Sequence, residues 1–129
     1  MLTGALLESG GNVLLADPGY PCNRHFARFV EGRAKLIPVT AKNNYQLTAT
    51  DIEKYWDDET VMTLLASPSN PTGSVLSRSQ LSALAVAVNA KQGVLAVDEI
   101  YHGLVYDGVD TTTALAVDDR AFVLNSFSK

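Results

Sequence analysis

TVMTLLASPSNPTG, residues 60–73, is the stretch on which the fold turns. Its first seven residues carry no charge and do not alternate between polar and apolar, as a strand covered on both faces should read. Two prolines, an asparagine and a glycine then end the run sharply. The same pattern repeats outward in both directions. Upstream, NVLLA (12–16) is cut off by Asp17-Pro18-Gly19. AKLIPV (34–39) is a further apolar run, and Pro38 places it at a sheet edge or at its own end. Downstream, GVLAV (93–97) runs into Asp98-Glu99-Ile100-Tyr101, and AFVLN (121–125) runs into Ser126-Phe127-Ser128-Lys129.

Helical patterns fill the gaps. Residues 23–31 are compatible with a helix, with Gly32 placed to end it. Thr50 with Glu53 fits a capping box ahead of a short helix, and Ser77 with Gln80 fits a second. Behind the second, Leu81, Leu84, Ala85 and Val88 mark one helical face. Five buried runs separated by helices predict an α/β fold: a doubly wound, mostly parallel sheet with helices on both faces. No internal repeat, low-complexity stretch or linker interrupts the 129 residues, which make one ordinary domain.

With 47% hydrophobic and 19% charged residues the chain has the material for a core and does not read as disordered. A net charge of −4 argues against nucleic acid as its partner. No apolar run approaches the ~20 residues that span a membrane, and no basic leader precedes an apolar stretch. Cys22 is the single cysteine, so no internal disulfide can form, which favours a reducing compartment. The expectation is a soluble, cytoplasmic domain.

In an open α/β sheet ligands bind outside the carboxyl ends of the strands. Parallel strands would bring one amide (Asn70), one carboxylate (Asp98), one phenol (Tyr101), two hydroxyls (Ser126 and Ser128) and one amine (Lys129) to a single rim. Without a ligand, so many half-buried polar groups would be costly. Taken singly, each has an ordinary reading. Lys129 is a solvated lysine, Asp98 caps a turn, Asn70 shapes a turn before proline, Tyr20 and Tyr101 belong to the core, and Ser126 is a strand-end hydroxyl. His25 and His102 have no partner at metal-ligand spacing, which leaves them surface or packing roles. Cys22 reads as a small packed side chain. Glu99 should point away from Asp98, since successive strand residues face opposite ways.

Taken together, SPSNPTG, VDEIY and SFSK, in that order, resemble the class I/II aminotransferases of the pyridoxal 5′-phosphate (PLP) fold type I. DPGYPCNRHF (17–26) is similar to the segment carrying that family's ring-stacking aromatic. The span from Asn70 to Asp98 leaves room for one helix and one strand, as the family fold requires. The resemblance implies PLP-dependent transfer of an amino group between an amino acid and a 2-oxo acid. Lys129 would hold the cofactor as a Schiff base and act as general base and acid. Asp98 would pair with the pyridine nitrogen and keep it protonated, making the ring an electron sink. Asn70 and Tyr101 would donate to the phenolic oxygen, Ser126 and Ser128 would bind the phosphate, and Tyr20 would stack on the ring. Lys129, Asp98 and Tyr101 are then the catalytic set, and Tyr20, Asn70, Ser126 and Ser128 complete the cofactor-binding set.

The same scaffold hosts PLP-dependent lyases and non-catalytic PLP-binding regulator domains, and both stay open, as does a remnant that binds nothing. The resemblance also implies a homodimer with the site near the subunit interface. It implies parts outside these residues: an upstream phosphate-binding turn, of which Thr3-Gly4 would be a remnant; a downstream arginine for the phosphate; and a small C-terminal domain with an arginine for the substrate carboxylate. Residues 1–129 are therefore expected to be part of the large, PLP-binding domain, lacking the N-terminal segment and the small domain, and inactive alone.

Overall fold

Parallel strands cannot be joined by a tight turn, so each apolar run must be followed by a crossover before the next can pair. The computed structural model, which describes residues 2–129, is built this way. Its strands are β1 (Asn12–Asp17), β2 (Arg33–Pro38), β3 (Thr60–Ala66), β4 (Val94–Asp98) and β5 (Phe122–Leu124). They form one sheet in the order β2-β1-β3-β4-β5, and every neighbouring pair is parallel. Four helices accompany them: α1 (Leu2–Leu6), α2 (Cys22–Phe29), α3 (Ala49–Tyr55) and α4 (Arg78–Ala90). Among the described residues no helix is long and apolar enough to cross a membrane.

The sheet is covered on both faces, which is why its strands do not alternate. On one face Leu14, Leu65, Leu95 and Val97 pack with Ile52 of α3 and Leu81, Leu84 and Val88 of α4. On the other, Val13, Leu15, Met62, Leu64 and Ala96 pack with Ala27 of α2 and Leu7 just past α1. β2 lies at the edge, where Pro38 removes no central hydrogen bond.

Local rules set the helix boundaries, with three departures from expectation. Ser77 caps α4 as read, its hydroxyl accepting from the N–H of Gln80 while the Gln80 side chain accepts from the N–H of Ser77. The cap of α3, however, is Thr48 paired with Asp51, two residues earlier than Thr50 with Glu53. Both pairs have the right chemistry. The earlier start alone puts the buried Leu47 and Ile52 at the two positions of a hydrophobic staple. Second, α2 ends at Phe29, and the left-handed residue after it is Glu31 (φ 59°), not Gly32. Gly32 is needed for space: a Cβ there would run into Leu7. Third, Cys22 is a half-buried residue opening α2, not a packed interior one, because it follows Pro21 where the chain turns back over the sheet.

At the amino ends of the strands Asp57 ties three of them together. Lys35 Nζ donates to its Oδ2 (2.7 Å), and Thr60 Oγ1 (2.6 Å) and Asn12 Nδ2 (3.3 Å) donate to its Oδ1. The Lys35 bond first, then the Thr60 hydroxyl, hold the Asp57 carboxyl well below its ordinary value of 3.8, outweighing desolvation. Because the folded-state pKa is depressed, this stabilisation is complete above 3.8 and is lost as the pH falls through the folded value. Asp57→Asn should therefore cost roughly 1 kcal/mol near neutrality, a figure kept small by solvent screening of a half-exposed pair. The loss should shrink on acidification; urea unfolding followed from neutral to acid pH measures both effects.

Candidate active site

The chain leaves β1 toward β2 on one side, while β3 pairs on the other. The carboxyl ends of β1 and β3 therefore diverge around a crevice, the switch point at which open α/β sheets bind ligands. Tyr20 follows β1, Asn70 follows β3, Asp98 ends β4 with Tyr101 just beyond, and Lys129 follows β5. These five, with Ala66 and Ile100, line one open cleft of about 210 Å³.

Ser126 and Ser128 stand apart from that lining. Both are exposed; their hydroxyls lie 2.7 Å apart, and the Ser128 N–H donates to Ser126 Oγ at 3.0 Å. Thr3-Gly4, expected as the remnant of a phosphate-binding turn, lies inside α1 with Thr3 buried, so it presents no turn.

The loop carrying Asn70 is compact. Ser69 N–H donates to Ser74 O (2.9 Å) and Gly73 N–H to Ser69 O (2.7 Å). Gly73 sits at φ 69°, a left-handed conformation that favours glycine. Leu76 N–H donates to the buried hydroxyl of Ser67 at 2.9 Å, anchoring the loop from beneath.

Asp98 does two things at once. Its Oδ1 accepts the N–H of Ile100 (3.0 Å), the turn-capping role, while the half-buried carboxyl also lines the cleft. Tyr20 is an uncharged aromatic there. The neighbouring Cys22 thiol, then desolvation, then Tyr101 and Asp98 hold its phenol above its ordinary value of 10.0.

Glu99 turns the other way, as strand alternation requires, and is buried. Its Oε1 accepts the N–H of Ala114 (2.7 Å) and its Oε2 lies 3.4 Å from His102 Nδ1. Its own N–H donates to Leu124 O of β5 at 2.8 Å. His102 Nε2 is buried without a partner among the described residues. Glu99 thus joins the turn bearing Tyr101 to both β5 and the short helical turn at Ala114–Ala116. Sequence reading set Glu99 facing away from Asp98 but gave it no partner, and it passed over Gln46, which grips the Asn70 loop. The available signal for Glu99 was a carboxylate directly after an apolar strand with a histidine three residues on.

A doubly wound sheet with an amine, a carboxylate, two phenols and an amide gathered at its switch point defines an α/β protein built around a small-molecule cleft. The chain matches the family model for class I and II aminotransferases over residues 1–129, and it belongs to that family. It is 37% identical over 126 residues to a valine–pyruvate aminotransferase of Mycobacterium tuberculosis, covering 97% of this chain and 32% of that protein. It is 32% identical to a histidinol-phosphate aminotransferase of Haloquadratum walsbyi, covering 99% and 33%. Among solved structures, an aminotransferase from Mycobacterium tuberculosis superposes with a TM-score of 0.91 at 37% identity, covering 97% of this chain and 32% of that one. The aspartate aminotransferase from Thermus thermophilus superposes with a TM-score of 0.92 at 25% identity, covering 99% and 34%. The chain spans about a third of the length of the curated relatives it matches. Its architecture is that of PLP fold type I, and the family depends on PLP.

Glu99→Ala should leave the Ala114 N–H buried and unpaired and remove the partner of His102. The expected cost is about 1–3 kcal/mol of stability, measured as a lower urea midpoint with unchanged slope. An unchanged midpoint would show that Glu99 does not tie these elements.

Proposed function

We propose that this chain carries the cofactor-binding part of a PLP-dependent aminotransferase, transferring an amino group between an amino acid and a 2-oxo acid. The observation that supports it is the meeting of Lys129, Asp98, Tyr101, Asn70 and Tyr20 in one cleft at the switch point, in a chain of this family. The donor set fits the cofactor: a carboxylate suits a pyridinium nitrogen, amide and phenol donors suit a phenolate, and an amine suits an aldehyde.

When bound, PLP supplies a protonated aromatic ring that takes up electrons from the substrate. Asp98 keeps the proton at the ring nitrogen, because a nearby carboxylate favours the cationic form. Asn70 and Tyr101 donate hydrogen bonds to the phenolic oxygen and favour its charged form for the same reason. Tyr20 offers a neutral aromatic face on which the ring can stack beside Asp98. Lys129 supplies the amine that attaches the cofactor and then carries the proton to and from the substrate carbon. The paired hydroxyls of Ser126 and Ser128 serve the phosphate.

The coverage of its relatives supports placing residues 1–129 in the large domain of a longer enzyme, with an N-terminal segment and a small C-terminal domain completing it. We take that enzyme to be a cytoplasmic homodimer of amino acid biosynthesis.

In the intact protein, Lys129→Ala should abolish both the absorbance that arises from covalent attachment of PLP and its fixation by borohydride. Cofactor still fixed covalently in that variant would overturn the assignment.

Asp98→Asn should leave the fold intact and lower transamination by several orders of magnitude, since a neutral amide no longer holds the ring proton. Steady-state assays over several amino acid and oxo acid pairs read this loss. In the unsubstituted protein, release of ammonia without a new amino acid would mark a lyase. PLP binding with no turnover would mark a regulator.

A further inference from the structure

We propose that Gln46 is a positioning residue for Asn70, setting the loop from which Asn70 reaches the cofactor; this rests on the functional reading above. Gln46 is 2% exposed, in the segment between the turn at Ala41–Asn43 and α3. Its side-chain Nε2 donates to Ala66 O (3.0 Å), Ser74 O (3.2 Å) and Ser74 Oγ (3.1 Å). Ala66 is the last residue of β3, and Ser74 lies beyond the SPSNPTG loop, so a single amide grips both feet of the loop that presents Asn70.

The loop's internal bonds pivot on the residue that Gln46 holds. Ser74 O also accepts the N–H of Ser69, the neighbour of Asn70, at 2.9 Å, and Ser74 Oγ lies 2.8 Å from Thr72 Oγ1. A shift of Ser74 is thereby passed to Ser69 and on to Asn70. Gln46 itself lines a small cavity together with Ser69, Asn70 and Tyr20, immediately behind the cleft.

The chemistry of the position selects a neutral donor. An apolar side chain would leave the carbonyls of Ala66 and Ser74 without this partner in the interior. A lysine would bring an unpaired charge into a buried site. A glutamate would set acceptor against acceptor. Glutamine supplies two N–H groups within reach of three acceptors, Ala66 O, Ser74 O and Ser74 Oγ.

A double-mutant cycle in the intact protein separates positioning from simple bracing. Gln46→Met keeps length and removes the donors; Asn70→Ala removes the side chain being positioned. The readouts are the PLP dissociation constant and the pH dependence of the bound cofactor's absorbance, with urea unfolding run beside them. Gln46→Met should weaken PLP binding roughly tenfold, the scale of one lost hydrogen bond to the cofactor. It should also move the absorbance titration in the direction that Asn70→Ala moves it. In the Asn70→Ala background the same substitution should add little. Gln46→Glu should be at least as damaging, which separates loss of the donors from loss of packing. Additive effects in the cycle, or unchanged affinity and absorbance beside a lowered unfolding midpoint, would reduce Gln46 to a structural brace and overturn the proposal. An unsubstituted protein that takes up no PLP would instead overturn the functional reading beneath it.

Discussion

Everything at the cleft depends on β1 pairing in parallel with both β2 and β3. That arrangement opens a crevice at the carboxyl ends and sends all the following loops to the same rim. Register then decides which side chains face the crevice. Ala66 of β3 is level with Asp98 of β4, and Asp98 is level with Leu124 of β5. A slip of one residue would exchange the two faces of the strand and turn Glu99 toward the cleft in place of Asp98. The buried leucines and valines on both faces forbid the slip, because it would also invert every core contact of the strand. The packing of the sheet and the identity of the carboxylate at the cleft are therefore one constraint.

The parts legible in the sequence are those whose cause is local. Apolar runs announced the five strands, and a reciprocal Ser77–Gln80 pair announced α4. The start of α3 was less legible, because two threonines each had an acidic residue three positions on and only burial of Leu47 and Ile52 decides between them. Gly32 looked like a helix stop but answers to Leu7, a residue far behind it in the chain. At the site, Tyr20, Asn70, Asp98, Tyr101 and Lys129 stood out because each follows a strand end. Gln46 did not, since its partners lie 20 and 28 residues away, and the tie from Glu99 to Ala114, 15 residues away, was hidden in the same way. No spacing rule links such residues before the fold exists.

The two ends of the sheet handle polarity differently, and the difference bears on function. At the amino ends, charges pair in the open: Asp57 with Lys35, and Arg33 with Glu59 at 2.7 Å. Water screens them, so they add little stability each and impose no field on the far end. At the carboxyl ends the supports are buried. Gln46 is neutral, and Glu99, which carries a carboxyl group, lies across the strand from the cleft beside His102. A buried charge interacts far more strongly than a solvated one. A second carboxylate on the cleft side of β4 would compete with Asp98 for any cation held there. Alternation along the strand keeps the two acids apart, and a neutral amide braces the neighbouring loop. Asp98 is thus the one side-chain carboxylate among the residues that line the cleft, as the role proposed for it requires.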